Sequence, residues 1–399
     1  MGIFIPHSKL ENLKAYKSSF FVNCRYQSED RSLVTKYVLK PFWGQFAKIF
    51  PLWMAPNLIT LSGLGFIIIN VLTVLYYDPT FSGNSPRWAY FTYALGLFLY
   101  QTFDACDGQH ARRTGQSGPL GELFDHCIDS LNTTLSMMVF CSTVGTGLTF
   151  MMVLSQFALL CNFYLSTWEE YHTHLLFLSE FSGPVEGILM IVGSFILTGI
   201  LGPQALWHKL IYEIQIGDSL FKVESVHLLF ALCGVGLLFN IFSSRRNVVE
   251  HYKKESATAK EAQAKITWAT VGLLPFFSYF ASIFVLVAVD PETISLPFVL
   301  SIGLTLAFTV GRIIICHLTK QEFPTINPPM ITPLLQFLIK ILLVHILDYE
   351  KSIVLPAVNW FGFGLTLGIH AMFITEVIYE FTSFLDIYAL SIKHPKKSA

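Results

Sequence analysis

Long apolar stretches recur along this chain, and they constrain its fold more than any other feature of the sequence. Each contains about 20 predominantly apolar residues, enough for a helix to cross a hydrocarbon core of roughly 30 Å. Hydrophobic residues make up 53% of the sequence and charged residues only 13%, against about 25% charged residues in soluble domains. We therefore predict an all-α fold, a polytopic integral membrane helical bundle.

The pattern predicts about ten transmembrane helices. The predicted spans are residues 57–77, 88–106, 120–144, 148–171, 184–201, 226–242, 266–289, 294–318, 331–347 and 353–379. Lys and Arg cluster before the first span, at Arg112 and Arg113, in residues 243–265 and in the tail. With an even number of spans these segments lie on one side, which the positive-inside rule identifies as the cytosol. Both termini are therefore expected to be cytosolic.

Three segments between or beyond the spans have their own patterns. Residues 30–50 alternate apolar and basic residues near helical spacing, which predicts an amphipathic N-terminal interfacial helix interrupted at Pro41. Residues 243–265 are polar and predict a mobile cytosolic linker. Residues 381–392 are amphipathic again and predict a second surface helix.

The formal net charge of -1 gives no indication of nucleic-acid binding.

Four aspartates stand where the predicted second and third spans approach the short turn between them. Asp104 and Asp107 are spaced i, i+3 on one span. Asp125 and Asp129 are spaced i, i+4 on the next, so each pair shares one helical face. Unpaired in a membrane, the four would cost on the order of 10 kcal/mol. We predict that Mg²⁺ or Mn²⁺, two ions in all, neutralises them, together with a substrate that carries phosphate.

The residues around the aspartates suit the same chemistry. Gly108 and Gly121 lack a Cβ, so a nucleotide or a neighbouring helix can approach the backbone closely. Arg112 would donate charge-assisted hydrogen bonds to a phosphate. With the aspartates they form the pattern D-x2-D-G-x2-A-R-x8-G-x3-D-x3-D, and in this the chain resembles the CDP-alcohol phosphotransferase family. The specified positions are Asp104, Asp107, Gly108, Ala111, Arg112, Gly121, Asp125 and Asp129.

The resemblance extends over nearly the whole chain. Residues 50–61, 86–101, 164–187 and 385–395 are similar to the fungal cholinephosphotransferases and ethanolaminephosphotransferases. Residues 18–25 look like an insertion. The resemblance implies transfer of phosphocholine, phosphoethanolamine or both from CDP-choline or CDP-ethanolamine to diacylglycerol, with release of CMP. It also implies contact with membrane lipids and a homodimer.

The expected CDP-binding residues are Asn57, Thr60, Gly108, Ala111, Arg112 and Gly121. Asn57 has an alternative role as a helix N-cap. The lipid hydroxyl must lose a proton, and the candidate bases are His126 and Asp129, which stand i, i+3. If Asp129 is a metal ligand, His126 is the better base. The alternative for His126 is a polar residue bonded to a neighbouring carboxylate.

A quaternary ammonium head group is best held by aromatic faces and negative charge. Trp168, Glu169 and Tyr171 end the fourth predicted span, and Glu186 opens the fifth, so these residues are candidates for a head-group pocket. An interfacial aromatic belt is the alternative explanation for the Trp and the Tyr.

The resemblance divides the chain into four parts. These are a cytosolic segment with the interfacial helix (1–55), a catalytic transmembrane core (56–223), C-terminal transmembrane helices (224–380) and a cytosolic amphipathic tail (381–399). The tail ends Lys396-Lys397-Ser398-Ala399, which resembles a dilysine signal for the endoplasmic reticulum membrane, with the Golgi as a further location.

Two other functions compete with this interpretation. One is a sister phosphotransferase with a water-soluble acceptor such as inositol or glycerol phosphate, which would require an additional polar or basic pocket. The other is a cation transporter with a carboxylate-lined site. A transporter is expected to place its charges near mid-membrane on broken helices, and it gives no reason for Gly108, Ala111 and Arg112.

Overall fold

The computed structural model describes residues 2–14, 28–30, 34–178, 184–216 and 219–394, and these form an almost entirely helical bundle. The α-helices are α1 (Lys40–Phe46), α2 (Pro56–Tyr77), α3 (Arg87–Thr114), α4 (Pro119–Val144), α5 (Phe150–Thr173), α6 (Pro184–Leu201), α7 (Pro203–Trp207), α8 (Ser225–Glu255), α9 (Ala259–Val271), α10 (Leu274–Val289), α11 (Leu296–Thr319), α12 (Thr332–Lys340) and α13 (Lys351–Leu385). The all-α prediction is confirmed.

Every predicted span falls on helical structure. Among the described residues, seven helical segments are long and apolar enough to cross a membrane. They are Pro56–Tyr77, Phe150–Thr173, Ser225–Glu255, Ala259–Val289, Leu296–Thr319, Pro328–Ile346 and Lys351–Leu385. Helix α6 is apolar but shorter, and α3 and α4 carry the polar motif. The count of ten spans and the four-part division of the chain stay predictions.

Two sequence predictions about polar segments are wrong. Residues 243–265 are not a long linker, because α8 continues to Glu255 and α9 begins at Ala259. Ala, Lys and Glu are strong helix formers, so a polar segment rich in them extends a helix readily. Residues 381–392 do not form a separate surface helix: α13 runs to Leu385, and an irregular segment follows it.

The described part of residues 30–50 is helical from Thr35 to Phe46, and its interfacial position stays a prediction. A π-helical turn, Thr35–Leu39, leads directly into α1. The helix changes from π to α at Lys40, next to Pro41, which lies in the first turn of α1, where a missing N–H costs little. The predicted insertion at residues 18–25 lies outside the described residues.

Four short strands were not predicted. Strand β1 (Ser28–Asp30) pairs in parallel with β2 (Leu176–Leu178). Strands β3 (Leu210–Ile216) and β4 (Ser219–Glu224) form an antiparallel hairpin between α7 and α8. The hairpin sequence is rich in Ile, Leu, Tyr, Phe and Val, which favour strands.

Helix α11 is the core of the bundle. In its most apolar stretch 83% of the residues are buried, as expected of a helix that is hydrophobic on all sides. Gln156 on α5 donates a hydrogen bond to the carbonyl of Val299 on α11, at 2.9 Å. Phe308 on α11 packs against Phe373 on α13, with the ring centroids 4.9 Å apart. These contacts fix the helices that surround the polar motif.

Helices α2 and α3 approach each other closely. Asn70 on α2 donates to the carbonyl of Tyr93 on α3 at 3.1 Å. A Cβ added to Gly96 would lie 2.4 Å from the Asn70 side-chain nitrogen, so this contact requires glycine. The close packing brings the start of α2 beside the C-terminal half of α3, where the aspartates lie.

A buried ion pair joins α12 to the end of α10. The Asp290 carboxylate contacts the Lys340 ammonium at 2.9 Å, with side-chain exposures of 6% and 8%. Lys351, at the start of α13, contacts the other Asp290 oxygen at 3.0 Å. Burial alone would raise the pKa of Asp290, but hydrogen bonds from the two lysines lower it below its usual value.

We expect Asp290→Ala to lower the free energy of unfolding by about 3–5 kcal/mol, because it leaves the Lys340 ammonium buried without its partner. The control is Glu292→Ala, which removes an exposed carboxylate paired with Lys351 and should change stability by less than about 0.5 kcal/mol. Unfolding of the purified protein in detergent measures both.

In the wild type, the contribution of Asp290 to stability is present above the ordinary Asp pKa and is lost as the pH falls through the lowered pKa. Equal stability of the two variants would contradict the assignment.

Candidate active site

The turn between α3 and α4 sets the geometry of the site. Helix α3 ends at Thr114, and Gly115 follows with φ 71°, in the left-handed region that glycine adopts without strain. Its N–H donates to the carbonyl of Ala111. Helix α4 then begins at Pro119, a residue suited to the first turn of a helix. The two helices therefore run side by side in opposite directions from a four-residue connection.

Three of the four aspartates meet across this helix pair. Asp104 and Asp107 on α3 and Asp125 on α4 each offer an oxygen, and these oxygens all lie within 4.8 Å of one another. We call them the carboxylate trio. The Thr60 hydroxyl on α2 donates a hydrogen bond to Asp107. Three helices thus hold the trio in place.

The trio fits a hard divalent cation. Within the described chain, one oxygen each of Asp104 and Asp125 is buried without a hydrogen-bond partner. Buried polar atoms normally have partners, and three like charges this close repel one another. Oxygen-only donors at this spacing are the ligands that Mg²⁺ and Mn²⁺ prefer. The identity and number of the ions stay predictions.

A cavity of about 490 Å³ opens beside the trio. Ligand pockets generally have volumes of about 300–1,000 Å³, so this one is large enough for a nucleotide. Five of the six predicted CDP-binding residues line it, namely Asn57, Gly108, Ala111, Arg112 and Gly121. The sixth, Thr60, contacts the trio through Asp107. Asp107 and Asp125 also line the cavity.

Asn57 is not a helix N-cap. The N-cap of α2 is Ala55, and the Asn57 side chain instead donates to the carbonyl of Ala389 at 2.9 Å. The alternative role considered for Asn57 is therefore wrong, and its place is in the cavity wall.

His126 and Asp129 are not part of the three-oxygen cluster, and each has a contact with another helix. The Asp129 carboxylate accepts a hydrogen bond from the Tyr100 hydroxyl. The His126 Nε2 lies 3.8 Å from an oxygen of Glu170, on α5. Sequence spacing relates His126 to Asp129, and the structure adds the carboxylate of Glu170 beside the imidazole.

The predicted head-group residues are not gathered at the cavity. Trp168 is 1% exposed, and its indole N–H donates to the carbonyl of Ala269 at 2.8 Å. The Tyr171 hydroxyl donates to the carbonyl of Gln321. Glu169 accepts from Asn247 at 2.7 Å. These three contact the helices and loops on the far side of α5.

Glu186 differs from those three residues. Both of its carboxylate oxygens are buried without a hydrogen-bond partner among the described residues. It lies in the first turn of α6. Its neighbours Val185 and Leu189 pack against the cluster that contains Cys106, between the two trio aspartates of α3.

Sequence reasoning missed two parts of the site. Glu170 was not expected beside His126, because the two lie on different helices and no spacing rule relates them. Residues 385–389, 391 and 394 also line the cavity, although they lie far from the motif in sequence. The resemblance noted over residues 385–395 was the only signal that pointed to this segment.

Comparisons with known proteins agree with this geometry. A family model described as CDP-alcohol phosphatidyltransferase matches residues 53–215. Cholinephosphotransferase 1 of Saccharomyces cerevisiae is 59% identical to this chain, over 100% of both chains. Choline/ethanolaminephosphotransferase 1 of the same yeast is 56% identical, over 99% of this chain and 100% of its own. Choline/ethanolaminephosphotransferase 1 of Arabidopsis thaliana is 34% identical, over 92% and 95%.

We expect the purified wild-type protein to bind Mn²⁺. Asp107→Asn or Asp125→Asn should weaken Mn²⁺ binding by about 10–100-fold or more, because changes to residues that only support metal ligands already have effects of that size. Electron paramagnetic resonance of Mn²⁺ titrated into the detergent-solubilised protein measures this. Glu250→Gln, which neutralises an exposed carboxylate paired with Arg246, is the control and should bind as the wild type does. Unchanged affinity in both Asp variants would refute the metal assignment.

Proposed function

The chain belongs to the CDP-alcohol phosphotransferase family, and on that premise we propose that it transfers phosphocholine, phosphoethanolamine or both from the CDP-alcohol to 1,2-diacylglycerol, releasing CMP. The products are phosphatidylcholine and phosphatidylethanolamine. The observation that carries the proposal is the carboxylate trio beside a nucleotide-sized cavity lined by Gly108, Ala111 and Arg112.

The relatives favour diacylglycerol over a water-soluble acceptor. The yeast and plant proteins are named for choline and ethanolamine phosphotransfer, and they match along nearly the full chain. A carboxylate-lined transporter site gives no reason for a nucleotide-sized cavity beside the trio.

The trio would hold Mg²⁺ or Mn²⁺, with two ions expected. Bound there, the metal supplies positive charge for the diphosphate of the donor and for the departing CMP. Thr60 orients Asp107 by hydrogen bonding to it. Arg112 lines the cavity one helical turn beyond Gly108, where its guanidinium binds phosphate oxygens. Gly108 and Gly121 leave room for the nucleotide.

The chemical step joins the diacylglycerol hydroxyl to the phosphorus that carries the amino alcohol. As this bond forms, the bond from that phosphorus to the oxygen bridging to CMP breaks, and CMP leaves with the electron pair. The hydroxyl proton passes to His126. The Glu170 carboxylate, 3.8 Å away, stabilises the imidazolium that results. Asp129 accepts a hydrogen bond from Tyr100 on α3, and this contact orients the part of α4 that carries His126.

Within the head-group pocket, Glu186 has the strongest support of the four predicted residues. Its carboxylate is buried without a hydrogen bond to any described residue, and a substrate ammonium would neutralise it. Trp168, Glu169 and Tyr171 already bind other parts of the chain, so we propose that they shape the pocket from behind.

The proposal also includes location and assembly. Seven apolar helices support a multi-pass membrane protein. We propose the endoplasmic reticulum membrane, with both termini cytosolic, on the basis of the positive-inside pattern and the dilysine tail. Lys396 and Lys397 lie outside the described residues. A homodimer is proposed from the family resemblance.

Membranes that contain the protein, incubated with diacylglycerol, Mg²⁺ and labelled CDP-choline or CDP-ethanolamine, should yield labelled phospholipid and CMP. Chelation should abolish the reaction and added Mg²⁺ restore it. Competition between the two donors would establish which head group is preferred. Failure of both donors to give labelled lipid would refute the proposed function.

We expect His126→Asn to lower kcat by about 10²–10⁴-fold, the usual contribution of a general base, with Mn²⁺ binding retained because the trio is intact. His370→Asn is the control: this histidine is buried in α13 and should leave kcat unchanged within about threefold. Steady-state kinetics and Mn²⁺ titration measure both effects. Near-normal turnover of His126→Asn would instead favour Asp129 as the base.

A further inference from the structure

The irregular segment after α13 forms one wall of the cavity beside the trio. We call residues 386–394 the C-terminal strap. At Asp386 the backbone adopts the left-handed conformation, with φ 54°, which ends the helix and redirects the chain. Leu385 and the strap supply the cavity lining that lies outside α2, α3, α4 and their connections. The family match ends at residue 215, so this wall comes from outside the matched segment.

Three contacts fasten the strap to cavity residues and their neighbours. Met54 and Ser391 form an antiparallel β-bridge just before α2. Asn57 donates to the carbonyl of Ala389 at 2.9 Å. Beyond these, Gln116 in the α3–α4 turn donates to the carbonyl of His394 at 3.2 Å. The strap therefore runs from the start of α2 to the turn, and both Asn57 and Gln116 belong to the cavity lining.

Apolar packing also holds the strap in position. Ile387 and Ala389 pack against an apolar cluster that includes Ile5 and Leu10 from the N-terminal segment and Phe373 from α13. Within the strap, Asp386 accepts hydrogen bonds from Lys393 and His394. The strap is thus a packed wall with a defined position.

The placement of the strap relative to the trio indicates which part of the donor it meets. Asp107 and Thr114 are separated by seven residues of α3, about 10 Å along a helix. The diphosphate belongs beside Asp107, and Arg112 lies further along α3 towards the turn, where it would reach the phosphates from the nucleoside side. The nucleoside then extends towards the turn, where Gln116 contacts the strap.

Tyr388 is the side chain on the strap best suited to meet a base. It lines the cavity mouth and is 56% exposed, so its ring has surface available for contact. Leu390, two residues further on, is 43% exposed but does not line the cavity. The two residues therefore form a matched pair on the same segment.

We propose that the C-terminal strap is part of the donor site, forming the wall against which the nucleoside of the CDP-alcohol binds, with Tyr388 contacting the base. This inference rests on the proposed function. It assigns donor binding to residues outside the aspartate motif, and it requires the strap to affect donor affinity rather than chemistry or acceptor binding.

The first test removes residues 386–399 and compares the variant with one lacking only residues 395–399. We expect the longer deletion to raise the KM for CDP-choline or CDP-ethanolamine and the Kd for CMP by about tenfold or more, and the shorter one to change neither. The KM for diacylglycerol should change less than twofold in both. A folded 386–399 deletion with wild-type donor KM and CMP Kd would overturn the proposal.

If the longer deletion does not fold, point variants test whether the strap binds the nucleoside. Tyr388→Ala should raise the donor KM and the CMP Kd at least about fivefold, the range expected for loss of an aromatic contact with a base. Leu390→Ala should stay within twofold of the wild type. Equal donor KM in the two variants would show that the strap does not bind the nucleoside.

Direct CMP binding separates this inference from the proposed function. If the full chain produced no phospholipid from either donor, the proposed function would fail whatever the strap variants did. If the full chain is active and Tyr388→Ala binds CMP as tightly as the wild type, only the strap assignment fails.

Discussion

The close approach of three carboxylates between the adjacent helices α3 and α4 is the constraint on which the rest of the structure depends. At an effective dielectric constant near 20, two like charges about 5 Å apart repel by about 3 kcal/mol. The bundle can bring Asp104, Asp107 and Asp125 this close only if the surrounding packing fixes their helices. The short turn at Gly115 and the tight α2–α3 contact at Gly96 provide that packing. The same contacts leave the carboxylates directed at a cavity of nucleotide size.

Residues related by helical spacing could be predicted from the sequence. The aspartates share faces of α3 and α4 because their positions follow the helical repeat, and the apolar stretches fall on helices because length and hydropathy are local properties. The two errors have different physical origins. Residues 243–265 are polar, yet their helix-forming composition extends α8. Residues 381–392 are amphipathic, yet after Leu385 contacts with Met54, Asn57 and Gln116 decide the conformation instead.

The partners of His126 and Asp129 on other helices could not be predicted from sequence spacing. His126 and Asp129 are neighbours on α4, which made a pair between them a natural expectation. In the structure, Glu170 from α5 lies beside His126, and Tyr100 from α3 binds Asp129. Both partners depend on how α5 and α3 pack against α4, which no pattern within a single helix encodes. The role of each polar residue in the site is therefore set by its neighbour on another helix.

The cavity joins two parts of the chain with different physical tasks. Helices α3 and α4 supply the carboxylate trio, which suits a divalent cation, and Arg112, whose positive charge suits a diphosphate. The end of α13 and the strap supply backbone carbonyls and an aromatic ring, which suit the less charged nucleoside. Since α13 also packs against α11 through Phe373 and Phe308, the position of the strap depends on the core of the bundle. The shape of the cavity is thus coupled to the helices that follow residue 215, although the carboxylate trio precedes that residue.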